Sequence, residues 1–454
     1  MEPNNGSRCV YLDYNATAPV EEEVQKSIIY ALQVAWGNPT SNHDGGTEAR
    51  RIIDEARISV ANMIGASSPE IVFTSGGTES NNMIIHSLVR HFKKTRSSFA
   101  SLSNCRIPHF ITSNIEHNSI MLTLKDLYED ERIDLTIVPV SKATGSVSSE
   151  EIVSAIRPET CLITVMLANN ETGIIQPVET IGTLLKDVNQ QRKKDSLPEV
   201  LFHTDAAQAL GKVAVNVDVL KVDYLTIAGH KFYGPRTGAL YFRDSKPLYP
   251  LLFGAGQEGG LRPGLYSSNC TMFPPLDTLA SLGCMTESRD GFSGLSQLPR
   301  PGLCCCVTPN TCMIAGVGTA AKLVVKNLDM YHRLMKDSRD YLEEKLKEVF
   351  GPLVSFNHRK GTQALPNTCS VSFAGMKGPE ILAKAKYVLA STGAACHHTA
   401  TPSRVLLNSG VTEDNARGTL RLSTGRKTAR ADVDAAVRLL QDAVSAILKE
   451  HSSG

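Results

Sequence analysis

The sequence has little of several things that would place it quickly. Charge of one sign is missing: 47 lysines and arginines stand against 46 aspartates and glutamates, a formal net charge of +1. That balance gives no electrostatic case for a nucleic-acid partner or an acidic membrane face. No apolar run is long enough to span a bilayer, and the opening Met1-Glu2-Pro3-Asn4-Asn5-Gly6-Ser7 lacks both a basic region and an apolar one, so no secretory signal is expected. Eleven cysteines in 454 residues then read as reduced thiols and not a disulfide framework, with the cytosol as the expected compartment.

Short apolar runs alternating with helical patterns are what the chain does have, and they predict an α/β fold with a mostly parallel sheet flanked by helices. Leu225-Thr226-Ile227-Ala228 is a β-favouring run that ends in Gly229-His230-Lys231 before a Gly234-Pro235 turn. A lysine at the mouth of a sheet is partly buried, which lowers an amine's pKa toward the range needed for a Schiff base. Upstream, Phe202-His203-Thr204-Asp205 is another short strand ending on an acid. A Schiff-base lysine with an acid able to hold a pyridinium nitrogen defines a pyridoxal 5'-phosphate site, although singly each reads as a loop lysine and a helix cap.

Other candidates fall where strands end. Glu70-Ile71-Val72-Phe73-Thr74 runs into Ser75-Gly76-Gly77-Thr78-Glu79-Ser80 and a helix read over 81–90, the strand, glycine turn and helix start that offer N–H groups to a phosphate. His117 either stacks on an aromatic cofactor or caps a turn. Asn170 either donates to a ring oxygen or finishes a strand. Residues 93–106 read as a solvated loop. Toward the end, 313–327 and 329–350 read as two helices, 368–373 as a strand, and a closing helix places Val433, Val437, Leu440, Val444 and Ile447 on one stripe.

Asp13-Tyr14-Asn15-Ala16-Thr17, Thr74 through Asn81, Glu116-His117-Asn118-Ser119, Asn169-Asn170-Glu171-Thr172-Gly173, Asp205-Ala206-Ala207-Gln208 and Gly229-His230-Lys231 stand in the order found in the NifS-like, class V aminotransferase group, which the chain resembles from about 11 to 447 apart from one segment. The resemblance implies a fold-type-I pyridoxal phosphate enzyme: a large α/β domain over 10–264, a smaller α+β C-terminal domain over 308–454, and a homodimer, while the start over 1–9 is read as disordered. It further implies that Lys231 holds the cofactor and Asp205 its ring nitrogen. Gln208 and Asn170 would meet the ring oxygen, Thr78 and His230 the phosphate, and His117 would stack on the ring. Arg421 would clamp the substrate carboxylate, with Asn170 beside it.

One segment departs from the pattern. The family's unbroken Arg-x-Gly-Thr-x-Asn stretch is split here, Arg262-Pro263-Gly264 lying apart from Thr308-Pro309-Asn310, whose threonine would reach the phosphate of the neighbouring subunit. The intervening 265–307 lacks sustained periodicity and is read as disorder or an artefact of the gene model. Metal binding ranks last, because Cys304-Cys305-Cys306 lacks the spaced pairs of a zinc site. An inactive or partner-binding isoform is therefore one alternative.

Ala390-Ser391-Thr392-Gly393-Ala394-Ala395-Cys396-His397 is the second chemical stretch, either a loop cysteine of no consequence or a thiol activated by a neighbouring base. The resemblance implies a mobile-loop cysteine that takes the chalcogen from substrate. The wording is closer to the branch acting on selenocysteine than to bacterial cysteine desulfurases, which tend to carry Ser-Ala-Cys-Ser. The expected reaction is decomposition of L-selenocysteine to L-alanine and reduced selenium, with a selenide acceptor protein as partner. The alternative is cysteine desulfuration through a persulfide on Cys396.

Overall fold

The computed structural model describes residues 9–99, 102, 105–253, 257–262, 309–357, 361–393 and 402–452. The expectations for 265–307, for Thr308 and for Cys396 with His397 lie outside the described residues, as do residues 1–8.

Seven strands form the main sheet: β2 (Ile71–Thr74), β3 (His109–Ser113), β4 (Asp134–Val138), β5 (Thr160–Thr164), β6 (Leu201–Asp205), β7 (Tyr224–Ala228) and β8 (Gly238–Phe242), in the spatial order β2-β8-β7-β6-β5-β3-β4. All neighbours from β7 to β4 pair in parallel. β8 is antiparallel to both β7 and β2, so β8 alone of this sheet runs against the rest. β2, β3, β5, β6 and β7 are buried throughout, as parallel strands covered by helices on both faces must be. The shared direction brings the carboxyl ends of β2, β3, β5, β6 and β7 to one edge, where an α/β sheet holds its ligand.

Buried hydroxyls and imidazoles inside this sheet satisfy one another across the strands. His109 bridges Thr160 (2.7 Å) and Thr136 (2.8 Å), and His203 bridges Thr164 (2.8 Å) and Thr226 (3.0 Å). Burial pushes His203 down to about 4, so it holds its place as a neutral ring.

A second core lies on a three-stranded antiparallel sheet, β9 (Val354–Phe356), β10 (Thr368–Phe373) and β12 (Thr419–Ser423), covered by the closing helix Arg430–Ser452 with Val433, Val437, Leu440, Val444 and Ile447 inward. The first strand of the chain belongs to it. β1 (Val10–Tyr11) pairs in parallel with β11 (Val388–Leu389), and Val10 and Leu12 are buried in that core.

Two expectations change. The two helices read over 313–350 are one 40-residue helix, Thr311–Phe350. Asn327, beside the expected break, donates its side-chain amide to Leu323 O at 3.1 Å and to the Tyr331 hydroxyl at 3.2 Å, so its polar group is satisfied within the helix. Its first half packs in the large core and its second half in the small one. The helix read over 81–90 spans Gly77–Thr95, and the stretch read as a solvated loop after it begins with its last turn and includes the buried Leu102.

Gly318 of the long helix is seated on the Asp44–Ile64 helix so closely that a Cβ would stand 2.5 Å from the Ala56 Cα. Gly318→Ala gains about 1 kcal/mol of helix propensity, but the obstructing atom is backbone and overpacking of this kind costs about 1–3 kcal/mol. The variant is expected to lose stability, seen as a lower urea midpoint with an unchanged slope.

Candidate active site

β7 runs into a 3-10 turn, Gly229–Lys231. Glycine is required at its start, since a Cβ on Gly229 would meet Pro235 O at 2.7 Å and Thr237 O at 2.8 Å. Two residues on, Tyr233 takes φ 68, a left-handed conformation uncommon for an aromatic residue. Its hydroxyl accepts from Arg426 N at 2.7 Å, and the Arg426 guanidinium lies 4.0 Å from its ring. The turn thereby aims Lys231 at the loop after β1, where Nζ donates to the carbonyls of Asn15 and Ala16, each at 2.8 Å.

Asn15 is 1% exposed and is the junction of the site. Its carbonyl also accepts from Gln208 Nε2 (2.9 Å), and its Oδ1 accepts from Lys212 Nζ (3.0 Å) and Asn367 Nδ2 (3.0 Å). Its Nδ2 donates to Thr368 Oγ1 (2.8 Å) and Asn170 O (3.4 Å), and its N–H to Ser423 Oγ (2.9 Å). Lys212 completes the group by donating to Gln208 Oε1 at 2.8 Å. Burial holds this second amine well below the usual lysine range, and the charges of Lys231, Arg421 and Arg426 push the same way.

Asp205 ends β6 and is 8% exposed. Its Oδ2 accepts from Asn81 Nδ2 at 2.9 Å and its Oδ1 from Ala207 N at 3.0 Å. His117 caps the Asn118–Glu129 helix, Nδ1 lying 2.8 Å from Ser119 Oγ and 3.2 Å from Ser119 N. Asn81 Nδ2 reaches that same Ser119 hydroxyl at 2.8 Å. Thr78 stands exposed in the first turn of Gly77–Thr95, where helix N–H groups lack intrahelical acceptors. His230 lies 3.2 Å from Thr17 Oγ1 and is pushed down to about 3 by burial and by the charges of Lys231 and Arg236.

Arg421, in the middle of β12, is 2% exposed. It donates through Nη2 to Asp13 Oδ1 (2.7 Å) and Ser391 Oγ (3.2 Å), and through Nη1 to Asn170 O (3.1 Å). Its buried Nε has no acceptor among the described residues. Asn170 enters these bonds through its carbonyl.

Lys231, Gln208, Asn170 and Arg421 are thus tied through Asn15, while Asp205 and His117 are tied through Asn81. Thr308 and Cys396 lie outside the described residues. Asn15, Asn81, Lys212 and Asn367 were not singled out as site residues in the sequence. Asn15 and Asn81 stand inside the recognised motifs, which was the available signal.

A half-buried lysine just past one strand end, a carboxylate at the next and an imidazole beyond it, around a glycine turn, define an enzyme that works through a lysine-linked ring cofactor. The chain matches the family model described as aminotransferase class-V over residues 10–260 and 289–436, and it belongs to that family. It is 47% identical to a selenocysteine lyase of Rattus norvegicus, covering 97% of this chain and 95% of the relative. To a cysteine desulfurase IscS of Methanosarcina thermophila it is 34% identical, covering 96% and 92%. A solved NifS-like protein superposes with a TM-score of 0.77 at 29% identity, over 96% of this chain and 99% of that one. These families are pyridoxal phosphate enzymes, and the fold is that of fold type I.

Glu116, beside His117, clamps two strand ends: both of its oxygens accept from Met166 N (3.0 and 3.1 Å), and Ser113 Oγ donates to it at 2.5 Å. Burial pushes it up to about 8 against the pull of those two donors, with the Asp205 charge adding to the rise. Its proton is therefore held more tightly in the folded chain than in the unfolded one. That stability is complete below the ordinary carboxyl range and is lost as pH rises through about 8. Glu116→Gln is expected to gain on the unmodified chain steadily between pH 5 and 8, measured by urea midpoints without cofactor. Parallel pH curves for the two proteins would refute the assignment.

Proposed function

We propose that this chain is a pyridoxal phosphate-dependent lyase that converts L-selenocysteine to L-alanine and a reduced selenium species. The observation that carries the reading is the 47% identity to a curated selenocysteine lyase along nearly the full length of both chains, against 34% for a cysteine desulfurase.

The residues fit the cofactor. Lys231 supplies the amine, Asp205 a carboxylate with both oxygens already oriented by N–H donors, and His117 a flat ring face. At the phosphate turn a Cβ on Gly76 would meet nothing within 4 Å, so that side is open. Thr78 and the first N–H groups of the helix, with His230, would hold the phosphate; Gln208 and Asn170 would meet the ring oxygen. Bound there, pyridoxal phosphate supplies an electron sink for cleavage at the substrate's β-carbon.

The chain's own residues do the rest. Arg421 holds the substrate carboxylate, and its unsatisfied Nε is the donor that such an oxygen completes. Asp13 and Ser391 fix the guanidinium plane through Nη2. Lys231, which donates to the carbonyls of Asn15 and Ala16, releases and returns the proton at the substrate α-carbon. Cys396 is assigned the chalcogen by its sequence context alone.

The reading extends to a cytosolic homodimer that delivers selenide to an acceptor protein. Ile29, Tyr30, Leu32 and Trp36 are exposed on and just after the Glu22–Val34 helix, an apolar set suited to a second copy. The five described cysteines are all free thiols, which suits a reducing compartment.

Parallel turnover of L-selenocysteine and L-cysteine, followed by alanine release, tests the substrate. Preference for cysteine would transfer the assignment to a desulfurase, and no turnover of either would favour the inactive isoform. Lys231→Ala is expected to abolish turnover and to release pyridoxal phosphate on dialysis; Asp205→Ala is expected to keep the fold and lose turnover. Cys396→Ala separates the chalcogens. Alanine formation leaves the bonding electron pair on the β-carbon, so the chalcogen departs at the zero-valent level to a nucleophile: sulfur to the Cys396 thiolate as a persulfide, and the more weakly bonded selenium either to Cys396 or directly to an external thiol. The variant should therefore lose cysteine desulfuration outright and keep part of its selenium release. An equal fall for both substrates would remove the weaker carbon–selenium bond as the source of selectivity.

A further inference from the structure

The two residues that would bracket the cofactor ring, His117 and Asp205, sit on different elements, yet a short polar path joins them. Asn81, 1% exposed in the Gly77–Thr95 helix, is the middle of that path. Its side-chain amide makes three bonds. Nδ2 donates to Asp205 Oδ2 (2.9 Å) and to Ser119 Oγ (2.8 Å), and Oδ1 accepts from Thr226 Oγ1 (2.7 Å).

The donor inventory fixes the direction of every bond in this chain. Asp205 receives N–H groups on both oxygens, from Asn81 and from Ala207 N, and as a carboxylate it only accepts. The amide nitrogen of Asn81 must therefore face it, and the amide oxygen faces Thr226. Having given its hydrogen to Asn81, the Thr226 hydroxyl accepts from His203 Nε2, which leaves His203 Nδ1 to accept from Thr164. The neutral state that burial imposes on His203 agrees with one donor and one acceptor nitrogen. On the other branch the Ser119 hydroxyl takes the second Asn81 hydrogen, so its own hydrogen points to His117 Nδ1. Ser119 N donates to the same nitrogen. His117 is thereby set with Nδ1 as acceptor and its proton on Nε2.

We propose that Asn81 is a positioning residue that couples Asp205 to His117, holding the carboxylate for the ring nitrogen and, through Ser119, setting the tautomer of the stacking imidazole. This deepens the cofactor reading above and rests on it. A hydrophobic residue at 81 would fill the space and leave Ser119 Oγ, Asp205 Oδ2 and Thr226 Oγ1 each short of a partner. Only a group with two hydrogens on one atom and an acceptor on the next serves all three.

The test uses the full chain labelled with 15N-histidine, His117 being assigned by the signals lost in His117→Gln, and pyridoxal phosphate itself as probe. The unmodified chain at pH 7 is expected to show His117 protonated on Nε2. Asn81→Leu should weaken pyridoxal phosphate binding about tenfold and move the His117 Nδ1 resonance. Ser119→Ala cuts only the branch to His117. It should move the same resonance and change cofactor affinity less than threefold, and it decides the matter if Asn81→Leu does not fold. A folded Asn81→Leu with unchanged affinity, or a Ser119→Ala variant with unmoved His117 nitrogens, overturns the coupling. Failure of the cofactor reading would show separately, as an unmodified chain that does not bind pyridoxal phosphate, while the nitrogen resonances still decide the bridge.

Discussion

The carbonyl and side chain of Asn15 are where the two cores meet, and the geometry of the site depends on that meeting. Lys231 and Gln208 come from the large sheet, Thr368, Ser423 and Asn367 from the small one, and all bond to one buried residue in the loop after β1. β1 is itself held in the small core by pairing with β11. The first strand therefore acts as a strap: it is anchored in one core and presents its loop to the strand ends of the other. A buried asparagine with its amide satisfied on both sides specifies one arrangement, because any slip would leave donors and acceptors without partners in a dry site.

The charges around this junction are lopsided. Lys212, Lys231, Arg421 and Arg426 approach one another, and Asp13 is bonded to the group through Arg421. Arg426 is held between aromatic faces, 3.6 Å from the Tyr331 ring and 4.0 Å from that of Tyr233, and burial draws its pKa down. Such a field resists protonation of the Lys212 amine and favours an anion.

Features legible in the sequence were the local ones. β6 and β7 announce themselves as short apolar runs; β6 ends on Asp205, and the turn after β7 delivers Lys231. The glycine turn before Thr78 likewise carries its own signal. The junction role of Asn15 was not legible, because its side-chain and N–H partners at Thr368 and Ser423 are 353 and 408 positions away. The bond from Asn81 to Asp205 spans 124 positions and follows from the sheet order, which no local pattern encodes. The long helix was divided at Asn327-Leu328-Asp329 because polarity there resembles a boundary, yet only packing on both cores decides whether a helix continues.

The sheet order also explains why the lysine and the glycine turn meet. β2 and β7 run the same way, yet residues 75–223 separate them in sequence. After Lys231 the chain reverses at Gly234-Pro235 and returns as β8 between them, so the ends of β2 and β7 lie two strand spacings apart, about 10 Å. The fit at this crossing is close: a Cβ on Gly238, the first residue of β8, would stand 2.6 Å from the Gly76 Cα. One on Gly77 would rest against Thr226 and Ala228 of β7 at 3.5 and 3.7 Å. The antiparallel strand is thus what sets the ends of β2 and β7 two strand spacings apart, and its opening glycine lets the turn after β2 lie close against it.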